Sequence, residues 1–192
     1  MEIRIVEMDE LNKEYYINKL RKSFGSERNL HEFRFKEQNK RKGQYLAAFV
    51  GKKIVGYMYI DWSQSPKDIS RCCFNALHVH EDYRRQGVAN TLLEYGEEML
   101  FYRYLMNVRI YVEMDNQSAI NLYLKRGFEI VKSDVRNIFD YINDYGKKCH
   151  WAGTYHAMKK NIPFNPNRFM WGSEVRDIDY CSYKKELEAQ NG

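Results

Sequence analysis

Residues 83–98 read YRRQGVANTLLEYGEE. Arg84, Arg85, Gln86 and Gly87 stand directly before an apolar-periodic run carrying Val88, Leu92, Leu93 and Met99, which predicts a helix from about residue 86 to 102. A helix start exposes backbone N–H groups with no intrahelical acceptor, and the helix dipole adds partial positive charge there. An anion is stabilised at such a point. Gly87 and Ala89 carry little side chain to hold an anion away from those amides. Arg84, Arg85 and Gln86 add charge and hydrogen bonds. The stretch therefore reads as a seat for a phosphate-bearing ligand. A solvated helix start with an incidental glycine is the plainer reading, and six residues alone do not separate the two.

The surroundings extend the reading. EIRIVEM (2–8) alternates Ile3 and Ile5 with polar residues and predicts a strand. Asp9 is placed to cap a helix over roughly 10–24, and a more polar helix is expected over 28–41. YLAAFV (45–50) and IVGYMYIDW (54–62) predict a hairpin. A long strand is expected over 69–80, another over 108–114, and a short helix closed by Gly127. FEIVKS (128–133) begins a further strand, 134–150 reads as a loop or partial helix, and 153–160 is the last strand. The fold class is α/β of the mixed α+β kind, a largely antiparallel sheet with helices on both faces. The strand–helix–strand unit 69–114 is long enough for a right-handed crossover, so its two strands should be parallel. Residues 1–160 form one domain. After Asn161 two of the three prolines appear, and 161–192 reads as an irregular extension packed on the domain or on a partner subunit, which leaves a homodimer open.

Composition bounds the function. The chain has 192 residues with Lys+Arg 31 against Asp+Glu 26, a net charge of +5. That surplus suits an anionic ligand and is too small to argue for nucleic acid. The four cysteines, Cys72, Cys73, Cys149 and Cys181, include no CxxC pair and read as free, mostly buried thiols of a reducing compartment. His78 and His80 lack a third ligand in view, so no metal is expected. The N-terminus has no signal-like apolar run, and no stretch reaches membrane-spanning length. A cytoplasmic protein without a membrane partner is the expectation.

Two segments, LHVHEDYRRQGVANTLLEY (77–95) and VEMDNQSAINLYLKRGF (112–128), together resemble the GNAT N-acetyltransferase superfamily. The element order carries the resemblance over about residues 1–160. The resemblance implies a GNAT fold, a central sheet of about seven strands with a splayed parallel pair, here 69–80 and 108–114. It implies acetyl-CoA as co-substrate. Arg84, Arg85, Gln86, Gly87, Val88 and Ala89 would then wrap the pyrophosphate, and the backbone of Leu77, His78 and Val79 would pair with the pantetheine arm. Asn116 would contact that arm, with Ala119 and Tyr123 on the same motif. Tyr123 matches the family's general acid; without the motif it would read as a core aromatic.

Direct transfer needs a neutral amine, and an amine of pKa about 10.4 is mostly protonated at neutral pH, so a base or water chain must act. The oxyanion needs a donor, most simply a backbone N–H near Leu77–Val79. Many relatives carry an acid on the strand before this element. Here Asn75 and Cys73 occupy the corresponding places. Glu113, His78, Glu81 and water remain as bases. The acceptor regions, about 20–35 and 134–153, hold Phe24, Phe33, Phe35, Asp134, Asp140, Tyr141, Asp144, Tyr145 and Trp151. Aromatics with carboxylates suit a cationic small-molecule amine. A protein acetyltransferase acting on an N-terminal or lysine amine, and a non-catalytic acyl-CoA-binding module, are the alternatives.

Overall fold

The first helix begins at Lys13, three residues later than expected, and Asp9 caps the turn that leads into it: Oδ1 accepts the Asn12 N–H at 2.8 Å. The computed structural model describes residues 1–9, 11–24, 43–62, 72–103, 105, 107–142 and 148–162, with only the backbone described at 137–142 and 148–151. The order is β1 (Arg4–Glu7), α1 (Lys13–Phe24), β2 (Gly43–Val50), β3 (Lys53–Asp61), β4 (Cys72–Val79), a 3-10 turn (Glu81–Tyr83), α2 (Val88–Tyr102), β5 (Asn107–Glu113), α3 (Gln117–Lys125), β6 (Glu129–Ile142) and β7 (Lys148–Asn161). The strands make one seven-stranded sheet in the order β1-β2-β3-β4-β5-β7-β6. Every neighbouring pair is antiparallel except β4–β5, the pair predicted parallel from its crossover.

The faces are set by alternation. Tyr45, Ala47, Phe49, Tyr57 and Tyr59 point to one side and bury Tyr16, Ile17 and Leu20 of α1. Leu46, Met58, Phe74, Val108, Ile110 and Val112 point to the other and bury Leu92, Leu93 and Leu100 of α2 with Ile120 and Tyr123 of α3. Each fully buried leucine is worth about 1.5–3 kcal/mol. Gly96 lets α2 lie close on the sheet: a Cβ there would come within 2.7 Å of Met58 Cε. A part-buried ion triad ties the second layer together. Glu97 on α2 takes Arg126 Nη2 at 2.9 Å and Lys160 Nζ at 2.8 Å, joining α2, the end of α3 and β7.

The segment 134–150 departs from its predicted loop or partial helix. β6 runs on to Ile142, and β7 begins at Lys148, so the two form one long antiparallel ribbon. The register slips between Ile130 and Lys132 and again between Lys132 and Val135, and Asp134 takes φ +57°. Each bulge shifts the inside–outside phase, which breaks the period-two signal a strand shows in sequence. The helix expected over 28–41 and the cysteine Cys181 lie outside the described residues. So does all of the extension beyond Ile162. Its first two residues belong to the domain: Asn161 ends β7, and Ile162 is buried with the α2–α3 layer. Cys72 and Cys73 are free and buried. Among the described residues no helix is long and apolar enough to cross a membrane.

Candidate active site

The parallel pair opens into a wedge. β4 and β5 are joined only at Cys72–Val108 and Cys73–Arg109, their N-terminal ends. Beyond that β5 pairs along its whole length with β7 on the other side, from Asn107 to Glu113. The C-terminal half of β4 therefore has β3 on one edge and, among the described residues, no strand on the other. The His80 N–H bonds the Val55 carbonyl of β3 at 2.9 Å. By strand alternation the main-chain groups of Val79 and Leu77 then point away from β3, into the wedge. The Val79 carbonyl is taken by Arg84 Nε at 3.2 Å.

A bulge aims this edge. The β3–β4 register passes from Tyr57–His78 to Tyr59–Asn75, so Ala76 and Leu77 together face Met58. Ala76 takes φ +52°, a left-handed conformation that nothing in its residue type announces. The bulge bends β4 away from the line of β5.

Both helices that follow the pair begin at the carboxyl ends of its strands, where the wedge opens. In open α/β sheets that is where ligands bind. α2 starts after the turn 80–87. Gly87 is its N-cap at φ +89°, with no side-chain cap, and its first turn holds no acidic residue. The first carbonyl of the helix, that of Gly87, receives the Thr91 N–H at 3.0 Å, which leaves the amides before Thr91 to an outside acceptor. A Cβ built on Gly87 would meet nothing within 4 Å, so the space above the amides is open. Arg85 also takes a positive φ, +59°. Gln86 Nε2 is bonded to the Asp82 carbonyl at 2.7 Å, which steadies the turn. Val88 is buried under the helix, and Ala89 is half-buried. These features fit a diphosphate: open amides, small side chains, arginines and no carboxylate in the first turn of the helix.

At α3, Asn116 is the N-cap, its Oδ1 accepting the Ala119 N–H at 3.1 Å. Ala119 leans on the core. Asn116→Ala should lower stability by about 1 kcal/mol, read as a shifted denaturation midpoint. The helix ends in a Schellman motif. The Phe128 N–H bonds the Tyr123 carbonyl at 3.0 Å and the Gly127 N–H bonds that of Leu124 at 3.0 Å. Gly127 supplies the φ of +82° that this closure needs. The motif's apolar contact is Phe128 against the Tyr123 ring, centroids 5.7 Å apart. The spacing Tyr123–Gly127–Phe128 thus fixes where the Tyr123 ring stands. Burial pushes its phenol up to about 12. Its hydroxyl has no hydrogen-bond partner among the described residues.

Of the three candidate bases, His78 and Glu113 lie on the sheet face opposite Tyr123. His78 stands among aromatic rings, 5.2 Å from Phe24 and 5.7 Å from Tyr57. Glu113 ends β5 opposite Tyr155 and is half-buried. Glu81 is exposed on the 3-10 turn. His80, whose ring lies 5.8 Å from Phe24, accepts the Asp82 N–H through Nδ1. Among the described residues no group of three metal-ligating side chains comes together. The aromatic wall of Phe24 and Tyr57 around His78 left no trace in the sequence, because its three members come from three elements. Of the acceptor regions, Phe33, Phe35, Asp144 and Tyr145 lie outside the described residues, as do the side chains of Asp140, Tyr141 and Trp151.

The sequence model of the Acetyltransferase (GNAT) family matches residues 5–128. The chain is 30% identical over 139 residues to an N-alpha-acetyltransferase of Saccharolobus solfataricus, covering 68% of this chain and 81% of that protein. It is 22% identical over 123 residues to a spermidine N(1)-acetyltransferase of Thermoplasma acidophilum, covering 64% and 73%. The crystal structure of the PaiA N-acetyltransferase from Thermoplasma acidophilum in complex with coenzyme A superposes with TM-score 0.57 at 17% identity, over 84% of this chain and 99% of that one.

Proposed function

The chain belongs to the GNAT acetyltransferase family, and on that premise we propose that it moves the acetyl group of acetyl-CoA directly to the primary amine of a small molecule. The observation that carries this reading is the wedge between β4 and β5 opening onto the bare amides of α2. Bound there, acetyl-CoA supplies an activated thioester. The amides from Gly87 to Ala89, with Arg84, Arg85, Gln86 and Val88 around them, hold its diphosphate. The Leu77 main chain and the Val79 N–H, which face the wedge with His78 between them, pair with the pantetheine amides as an added strand would. An N–H on that edge takes up the negative charge that develops on the acetyl oxygen. Asn116 contributes its Nδ2, since Oδ1 is committed to the helix cap.

Tyr123 gives its proton to the departing sulfur from one face of the sheet. The amine arrives from the other, where His78, Glu113 or a water held by them removes its proton. Phe24, Tyr57 and His78 make an aromatic wall that suits a cationic amine before deprotonation. A second reading, an N-terminal amine of a protein, is favoured by the identity to the Saccharolobus solfataricus relative.

Free-thiol release from acetyl-CoA, measured over a panel of diamines, amino acids and peptides with free N-termini, tests both. We expect turnover with small amines and little with peptides. Turnover confined to peptides would replace the first reading by the second, and CoA binding without release on any amine would leave only a binding module.

A further inference from the structure

The sheet face that receives the amine carries a pair of cations that form no ion pair among the described residues, with Asp61 on the same face beyond Cys73. Arg109 and Lys159 are directly opposite one another on β5 and β7. Like charges so placed repel. Val108, Ile110 and Val112 point into the α2–α3 layer, so alternation puts Arg109 on the opposite face, with His78 and Glu113. Arg109 Nε is buried and without a hydrogen-bond partner. Neither side chain forms an ion pair among the described residues, and Glu129, opposite Lys159 on β6, makes none with it. A buried guanidinium N–H left unsatisfied is costly, and natural chains rarely keep one without a use.

The position is specific. Arg109 pairs with Cys73 at the last rung before β4 and β5 part, so it stands at the closed end of the wedge. It is near enough to oppose the rise that burial and Asp61 impose on the Cys73 thiol. Resting on the reading that the acetyl group is presented beside Leu77–Val79, we propose that Arg109, supported by Lys159, binds a carboxylate on the acceptor. The substrate class is then a small molecule that carries both an amine and a carboxylate. Lysine, ornithine and 5-aminovalerate carry both groups. The Nη groups of Arg109 donate to the carboxylate, and its buried Nε–H, beside them on the same guanidinium, reports on the pairing.

Two readouts test this. The first compares kcat/KM for matched acceptors with and without the carboxylate: lysine against cadaverine, and 5-aminovalerate against pentylamine. A charge-assisted pair predicts a preference of about 10- to 100-fold for the carboxylate member, collapsing towards parity in Arg109→Met. Arg109→Lys keeps charge without the paired donors and should fall between. The second is independent of turnover and of how the variants fold. In the CoA complex of the unaltered protein, the Arg109 Nε–H resonance should shift on titration with N6-acetyl-lysine and stay still with N-acetylcadaverine. Parity between matched acceptors, or an Nε–H indifferent to the carboxylate, overturns the inference. If no amine releases thiol, it is the transfer reading that fails, and the resonance still decides whether the carboxylate site exists.

Discussion

Tyr123→Phe should lower kcat by about 10²- to 10⁴-fold while the Kd for acetyl-CoA stays within about twofold, the range expected on losing a positioned proton donor. The substitution removes only the hydroxyl. The ring remains packed on Phe128, and the Schellman closure at Gly127 is main chain and untouched. Stability should barely change, because the hydroxyl has no partner to lose among the described residues. The sign of the pH effect follows from burial. With the phenol raised to about 12, the neutral, proton-carrying form persists through the alkaline range, so no fall in kcat below pH about 10 is assignable to Tyr123. Rapid-mix kinetics with separate equilibrium binding would distinguish this outcome from a packing defect, which would move Kd and stability together. Turnover equal to that of the unaltered protein would remove Tyr123 from the chemistry.

Gly87→Glu should raise the Kd for CoA by about 10- to 100-fold, the effect of removing one charge-assisted hydrogen bond and adding a like charge. Two effects are separable at this position. Gly87 sits at φ +89°, where any Cβ adds about 1–2 kcal/mol of strain. Gly87→Ala isolates that strain, since a Cβ there meets no neighbour within 4 Å. We expect Gly87→Ala to lower stability with a small change in affinity. The glutamate adds a carboxylate over amides that would otherwise hold phosphate. That carboxylate interacts favourably with the helix dipole, so the folded state recovers part of the strain while the ligand loses its seat. Calorimetry should therefore find the glutamate variant far weaker for CoA than the alanine variant at similar or higher stability. Equal affinities would place the diphosphate elsewhere.

Sequence carried the frame of this site better than its details. The crossover from β4 through α2 to β5 was legible because its length and periodicity suit a right-handed strand–helix–strand unit, whose strands run parallel. The Gly127–Phe128 closure of α3 was legible because a left-handed C′ residue favours glycine. The splay of that pair came from family resemblance. Its local cause, the bulge at Ala76, rests on an alanine in a conformation normally left to glycine or asparagine, and no pattern marks it. The length of β6 was hidden for the same kind of reason, two register slips that scramble alternation. Nothing in the sequence of the strand 108–114 singles out Arg109. Only the pairing to Lys159 and the lack of an acceptor at Nε single it out.

The most direct measurement is a crystal structure of the acetyl-CoA complex. The diphosphate should lie within hydrogen-bonding distance of the main-chain N–H groups between Gly87 and Ala89, and the pantetheine amides should pair with the free edge of Leu77–Val79. A cofactor bound with its diphosphate away from the start of α2, or with the β4–β5 wedge closed by protein, would contradict the account.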